Sequence, residues 1–435
     1  MTQQLSRRGL LVGAAVGGAT WAATGSAFAR GGDHGASAPR ATLPHAATSS
    51  SLFNRWPGQD YRSFSFLRHL NQIGSGGASF AEMIGIANRI GDPVTSAAWI
   101  REFTAAGVEA GRKAAKAKRT APQVSADASL RQSTYLRAAE FFIDPLSHRP
   151  EKIALYKRSR SAFQRWAAAQ ETSITTVNVP FEKHGLEGVL VAGHGTSRRR
   201  PGPAVIVFGG ADSICEELVT GYGLLTLARS GVTVLALDGP GCGATVRLHG
   251  TTTRPDYEVA AAAAVDYLER RRNVDPHRIG LIGLSLGGYY AIRSAAFEPR
   301  LRCCVAWTGI WNFLDAVGTT PDPDPDPDFT AFKISQGQWI FGGANLSETL
   351  QRLAKFKLDG VAQRVKVPTL ILHGASDTIV PVAQARSLSK ALKCPHRTVI
   401  FPAGKPGETH CQNDDPTTAI AEIAPFLARH LKASK

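Results

Sequence analysis

Residues 278–288 read Arg278-Ile279-Gly280-Leu281-Ile282-Gly283-Leu284-Ser285-Leu286-Gly287-Gly288, and the helix-forming segment Tyr289 to Phe297 follows at once. An apolar run of this length bounded by glycines has the character of a buried strand. The G-x-S-x-G inside it lies where strand turns into helix. A serine there occupies a sharp, strained turn that lifts its hydroxyl above a sheet, and Gly283 and Gly287 let strand and helix approach without Cβ clashes. The same serine could merely cap the helix, but its placement between a buried strand and a helix marks Ser285 as a candidate nucleophile.

In folds built around such a turn, the partners follow in the chain order Ser, acid, His. Asp377 lies just past the apolar run Thr369 to His373, in Gly374-Ala375-Ser376-Asp377-Thr378-Ile379-Val380-Pro381. His410 follows the next run, Thr398 to Phe401, in Gly407-Glu408-Thr409-His410. His373 competes for the role of base, but it precedes the acid and sits at a strand end. Serine becomes a strong nucleophile only when imidazole takes its proton, and a carboxylate fixes that imidazole's tautomer and stabilises its cation. The oxyanion then formed needs backbone donors. These are expected from Leu286 and from the loop Gly209-Gly210-Ala211-Asp212-Ser213, where Ala211 is the first choice and Gly210 the alternative.

Outward from this centre, strands alternate with helices. Ser173 to Phe181 and Gly188 to Ala192 read as an opening antiparallel pair. Ala204 to Phe208, Thr233 to Leu237, Arg278 to Gly283, Arg302 to Trp307, Thr369 to His373 and Thr398 to Phe401 read as buried strands. Together they predict an α/β-hydrolase fold, an eight-stranded and mostly parallel sheet over residues 171–435 with an insertion at 311–366. Before it, Val94 to Lys118 and Ala126 to Ile143 carry apolar residues at three- and four-residue intervals, so residues 59–170 form a helical N-terminal domain. Asp92-Pro93 reads as the capped start of one of its helices. Asp238-Gly239-Pro240-Gly241-Cys242-Gly243 lacks the Lys-Ser/Thr of a phosphate loop and reads as a tight turn at the mouth of the site. The run Pro321 to Asp328 alternates Pro and Asp, excludes helix and ladder strand, and lacks the glycine and spacing of a calcium loop.

Bulk composition narrows the classes. The chain has 435 residues and a formal charge of +15, but its basic residues are dispersed, which speaks against nucleic acid as a partner. Ser6-Arg7-Arg8-Gly9-Leu10-Leu11, an apolar Gly/Ala stretch and Ala27-Phe28-Ala29 form a twin-arginine export signal over residues 1–29. Five glycines from Gly9 to Gly25 make a stable membrane anchor a poor fit. Residues 30–58 read as a flexible tether, and a periplasmic or extracellular destination is expected. The cysteines at 215, 242, 303, 304, 394 and 411 show no metal-knuckle spacing, and no metal or other cofactor is expected. Cys303 and Cys304 read as core filling. Trp99, Trp166, Trp307 and Trp311 could line an aromatic pocket, although tryptophans so placed more often fill a core.

The helical N-terminal region, Gly-Gly-Ala-Asp-Ser followed by Cys-Glu-Glu, Asp-Gly-Pro-Gly-x-Gly, Gly-Leu-Ser-Leu-Gly-Gly-Tyr-Tyr and Phe-Glu-Pro-Arg-Leu together resemble the 2,6-dihydroxypseudooxynicotine hydrolase group. That group is itself similar to fungal polyketide-shortening hydrolases and to prolyl-oligopeptidase-like esterases. The likeness spans roughly residues 60 to 430. It implies a cofactor-free Ser-Asp-His hydrolase acting on a small-molecule ester or a ketone-adjacent carbon–carbon bond, with Ser285, Asp377 and His410 as its triad and the N-terminal helices forming part of the pocket. Carbon–carbon cleavage needs an acid for the departing carbanion, and His410 or a carboxylate such as Asp315 is a candidate. Two other readings compete: an exported peptidase of the prolyl-oligopeptidase type, and a non-catalytic binding protein on the same scaffold.

Overall fold

The computed structural model describes residues 53–318 and 327–432. The expected export signal, most of the expected tether and residues 319–326, which include most of the Pro-Asp run, lie outside them. Among the described residues five α-helices precede the sheet: α1 (Asp60–Leu70), α2 (Phe80–Ile90), α3 (Ser96–Ala117), α4 (Pro122–Phe141) and α5 (Arg149–Ala167). On α3 the buried residues Trp99, Phe103, Gly107, Ala110 and Ala114 recur every three or four positions, which is the stripe a helix presents to a core. The Trp99 indole also donates to the Ala138 carbonyl of α4 at 2.8 Å. Trp56 belongs to this core as well. It is fully buried against Phe66 and Trp99, and its indole donates to Gly91 O at 2.8 Å, so the end of the expected tether is anchored in the helical domain.

The start of α3 differs from the sequence reading. Its cap is Thr95, whose hydroxyl accepts from Ala98 N at 3.1 Å, and not Asp92. Val94 explains the shift. Its N–H donates to the Gln59 side chain at 2.7 Å and its carbonyl accepts from the same amide at 2.9 Å, so its backbone is engaged before the helix begins.

The sheet comprises β1 (Ile174–Val179), β2 (Leu186–Val191), β3 (Gly202–Phe208), β4 (Thr233–Leu237), β5 (Val274–Leu284), β6 (Cys304–Trp307), β7 (Thr369–Gly374) and β8 (His396–Phe401), in the order β1-β2-β4-β3-β5-β6-β7-β8. β1 with β2 and β2 with β4 are antiparallel, and every later pairing is parallel. Helices pack on both faces, so successive strand residues enter opposite cores. Ile206, Leu235 and Leu281 face one, while Val205, Val234 and Ile282 face the other. Cys303 and Cys304 divide in the same way, as small buried filling, and all six cysteines are buried free thiols.

The following helices are α6 (Cys215–Gly221), α7 (Leu224–Arg229), α8 (Gly243–His249), α9 (Glu258–Glu269), α10 (Leu286–Phe297), α11 (Phe313–Gly318), α12 (Pro327–Phe341), α13 (Leu346–Leu353), α14 (Ala383–Ala391) and α15 (Pro416–His430). The last Pro-Asp pair of the run departs from expectation, because Pro327 opens α12. A proline fits a first helical turn, whose N–H groups have no intrahelical acceptor. Phe329 and Phe332 of α12 pack into the core of the N-terminal helices, so the insertion and the helical domain share one apolar cluster. Trp99, Trp166 and Trp307 are core residues, and Trp311 is half-buried against the sheet's core. Among the described residues no helix is long and apolar enough to cross a membrane.

Candidate active site

Parallel registry fixes where the functional side chains emerge. Phe208 pairs with Gly283, Leu284 with Trp307, and Gly374 with Phe401, so the chain leaves β3, β5 and β7 at one edge of the sheet. At that edge Ser285 stands between β5 and α10 with φ +57° and ψ −125°, outside the regions a side-chain-bearing residue normally occupies. Such a backbone costs about 1–3 kcal/mol and is held by its surroundings. Here Ser285 N donates to Trp307 O at 2.9 Å, and a Cβ on Gly283 or Gly287 would lie 1.8 Å from Gly287 O or 2.5 Å from Phe208 O. Only glycine permits so close a turn.

The three expected residues converge. His410 Nε2 lies 2.8 Å from Ser285 Oγ, and His410 Nδ1 lies 2.7 Å from Asp377 Oδ2. Asp377 Oδ1 accepts from the amides of Ile379 at 2.9 Å and Val380 at 2.8 Å, so the carboxylate's direction is set by its own loop. Burial would raise the Asp377 carboxyl, but His410 outweighs it and holds the group below its ordinary range. Burial would likewise lower the His410 imidazole, and the Asp377 carboxylate instead raises it well above the ordinary histidine value. Local backbone bends deliver the ring, since Cys411 and Gln412 both adopt positive φ, 52° and 50°.

His373 is excluded as the base by its bonds. Its Nε2 is 2.8 Å from Val380 O and 3.5 Å from Asp377 Oδ2, and burial lowers its pKa. It packs behind the acid. Asp315 is exposed in the first turn of α11.

The loop after β3 touches the nucleophile. A Cβ on Gly210 would meet Ser285 Cβ at 2.6 Å and Oγ at 2.9 Å. The Gly210 N–H, the alternative oxyanion donor, donates to Ser213 Oγ at 2.8 Å. Leu286 begins α10, where the first four amides have no intrahelical acceptor. The Asp238 turn also meets this loop, because the Cys242 thiol donates to Gly210 O at 3.2 Å. Asp238 accepts from the Cys215 and Ala244 amides at 2.7 and 2.8 Å, and burial beside Glu216 pushes its carboxyl up to about 7. It organises the turn.

The resemblance implies that the N-terminal helices form part of the pocket, but not that α1 is the helix that meets the triad. Phe64 packs edge-on against the His410 ring, centroids 5.8 Å apart. Phe53, Asp60, Phe64 and Leu67 then face Thr378 and His410 across a crevice between the helical domain and the sheet. No local pattern announces such a contact, which joins residues remote in the chain.

This edge-of-sheet serine, backed by a histidine and an acid in that chain order, defines a serine hydrolase. The family model described as the alpha/beta hydrolase family matches residues 217–423. The chain is 30% identical over 356 residues to "Hydrolase ORFZ" of Pyricularia oryzae, covering 73% of this chain and 82% of that protein. It is 28% identical over 355 residues to "20-hydroxy-prefusarin hydrolase FUS2" of Gibberella moniliformis, covering 73% and 83%. Its fold matches the crystal structure of 2,6-dihydroxy-pseudo-oxynicotine hydrolase with a TM-score of 0.67 at 22% identity, over 83% of this chain and 95% of that one. The chain belongs to the alpha/beta hydrolase family.

Proposed function

We propose that Ser285 is the nucleophile, His410 the general base and acid, and Asp377 the group that orients and charges the imidazole, with the oxyanion held by the amides of Leu286 and Ala211. The observation that carries this reading is the unbroken chain Ser285 Oγ, His410 Nε2, His410 Nδ1, Asp377 Oδ2 at 2.8 and 2.7 Å, starting from a serine with φ +57°. Imidazole takes the serine proton as Oγ attacks a carbonyl carbon. Collapse of the tetrahedral adduct expels the leaving group, which takes that proton from His410, and leaves an acyl-serine. Water, deprotonated by the same imidazole, then releases the acid.

The leaving group is an alkoxide in an ester and a ketone-stabilised carbanion in a carbon–carbon substrate. Both need one proton at the same position, and His410 supplies it in either case. The crevice beside His410, with Phe53, Phe64 and Leu67 on one wall, favours a small substrate with an apolar or aromatic body. A relative named for hydrolysis of 20-hydroxy-prefusarin supports a small molecule over a peptide. The peptidase reading is disfavoured, since five helices and not repeated four-stranded blades precede the sheet among the described residues.

The test is product analysis with two probes, p-nitrophenyl butyrate and 1-phenyl-1,3-butanedione, for the parent and His410→Ala. Turnover of either probe by the parent, lost in the variant, supports the reading and assigns the bond cleaved. Equal turnover by both proteins contradicts it.

A further inference from the structure

Helix α1 touches the site twice on one face. Phe64 packs on His410, and Arg68, four residues on and therefore above it on the same side, reaches the loop that carries Ala211. Arg68 Nη1 lies 3.0 Å from Asp212 Oδ2, while its Nε and Nη2 grip Glu217 at 2.5 and 2.9 Å. Arg137 of α4 donates to the Asp212 carbonyl at 2.5 Å and to Glu217 at 3.2 Å. Glu217 lies in the first turn of α6, the helix into which this loop runs.

The other side of the loop is held from within the sheet domain. Ser213 Oγ accepts the Gly210 N–H at 2.8 Å, and the Cys242 thiol donates to the Gly210 carbonyl at 3.2 Å. Ala211 thus lies between two clamps, one from the sheet domain on the Gly210 carbonyl, the other half of its own peptide unit, and one from the helical domain on Asp212, the next residue. We propose that Arg68 and Arg137 are positioning residues for the oxyanion hole: by holding the side chain and the carbonyl of Asp212 they fix the backbone on the far side of Ala211, and together with the Cys242 clamp they set the direction of the Ala211 N–H toward the carbonyl oxygen of a substrate on Ser285. This deepens the functional reading above and rests on it.

The physical case is preorganisation. An oxyanion donor contributes most when it need not reorient as charge develops, and small misplacements cost large factors in rate. Guanidinium suits the task, because its planar fork binds a carboxylate with two donors and keeps another for a neighbouring oxygen. Both arginines are buried, so water competes little for these oxygens. The helical domain then contributes to the chemical step as well as to the walls of the pocket.

Two variants test this. Arg137→Lys keeps the charge facing Glu217 but loses the fork that reaches the Asp212 carbonyl. Asp212→Asn keeps the shape and removes the ion pair with Arg68. Each is compared with the parent for kcat and KM on an ester the parent hydrolyses, and for inhibition by a boronic acid that forms a tetrahedral serine adduct. A fall in kcat on the order of 10- to 100-fold is expected, with KM within about twofold. The boronate constant should weaken by a factor similar to that in kcat. Unchanged kcat, or a kcat loss with parent-like boronate affinity, overturns the assignment. If Arg137→Lys does not fold, Asp212→Asn decides alone. Failure of the parent itself to form a boronate adduct on Ser285 would instead defeat the functional reading.

Discussion

The triad and the ion network between the helices and the sheet are both buried and charged, and both are reached from α1, yet they are built on opposite terms. In the triad one carboxylate and one imidazole form a single line that ends on a strained serine, with further positive-φ residues at Cys411 and Gln412. In the network each carboxylate meets several cations. Glu140 faces Arg137, Arg247 at 3.0 Å and Lys152 at 3.2 Å, and Glu217 is shared by Arg68 and Arg137. Glu140 and Arg137 lie in regular helix. Buried charge alone therefore does not mark a reactive centre, whereas buried charge aligned on a strained nucleophile does. The network joins the domains.

Separating the two roles by mutation gives the largest expected contrast. Asp377→Asn should lower kcat by about 10⁴-fold, because the histidine loses its orienting acceptor, while the urea midpoint stays near the parent's. Glu140→Ala should act on stability. It strands Arg137, Arg247 and Lys152 without their shared partner and should destabilise the fold by about 3–5 kcal/mol, as read by urea denaturation. If Glu140→Ala unfolds no more easily than the parent, the cohesive role assigned to the network is wrong.

A pH series should resolve the same contrast into two separate acid limbs. His410 must be neutral to act as base, and its pKa is raised, burial being outweighed by the Asp377 carboxylate, so kcat/KM should fall with decreasing pH through a midpoint above 6.5. His373, lowered by burial, stays neutral and adds no second break there. Stability should follow the network carboxylates. Burial would raise Glu217, but Arg68 and Arg137 bring it to about 2, and Arg247, Lys152 and Arg137 likewise hold Glu140 far below 4.5. Groups depressed in the folded state stabilise it fully above their unfolded values and lose that contribution as pH falls toward the folded ones. Circular dichroism should therefore report acid unfolding below pH 4.5, well beneath the loss of activity; coincident limbs would merge the two regions. The smallest effect is expected for Arg112→Ala. Its exposed pair with Glu109 at 3.2 Å should leave both the urea midpoint and kcat within error of the parent.

The two regions also differ in how far they could be read in advance. The triad was legible because its members occupy places set by local pattern: Ser285 between an apolar strand and a helix, Asp377 and His410 each after a later apolar run. The eight strands were legible for the same reason, with ends displaced by a few residues, as at β5, which begins at Val274 and not Arg278. The network has no such signature. Arg68, Arg137, Glu140, Lys152, Glu217 and Arg247 are scattered through separate stretches of the chain, and only the packing of helices on sheet brings them together. The Thr95 cap was hidden similarly, since Gln59 must fold back on Val94 to displace the start of α3. Nor does any local pattern show that the Gly210 amide is bonded to Ser213.

The most direct test of the central claim is fluorophosphonate labelling of the parent and Ser285→Ala, with the modified peptide located by mass spectrometry. A single adduct on Ser285 in the parent and none in the variant is the predicted result. Equal labelling of both proteins, or an adduct on another residue, would contradict the assignment of Ser285 as the nucleophile.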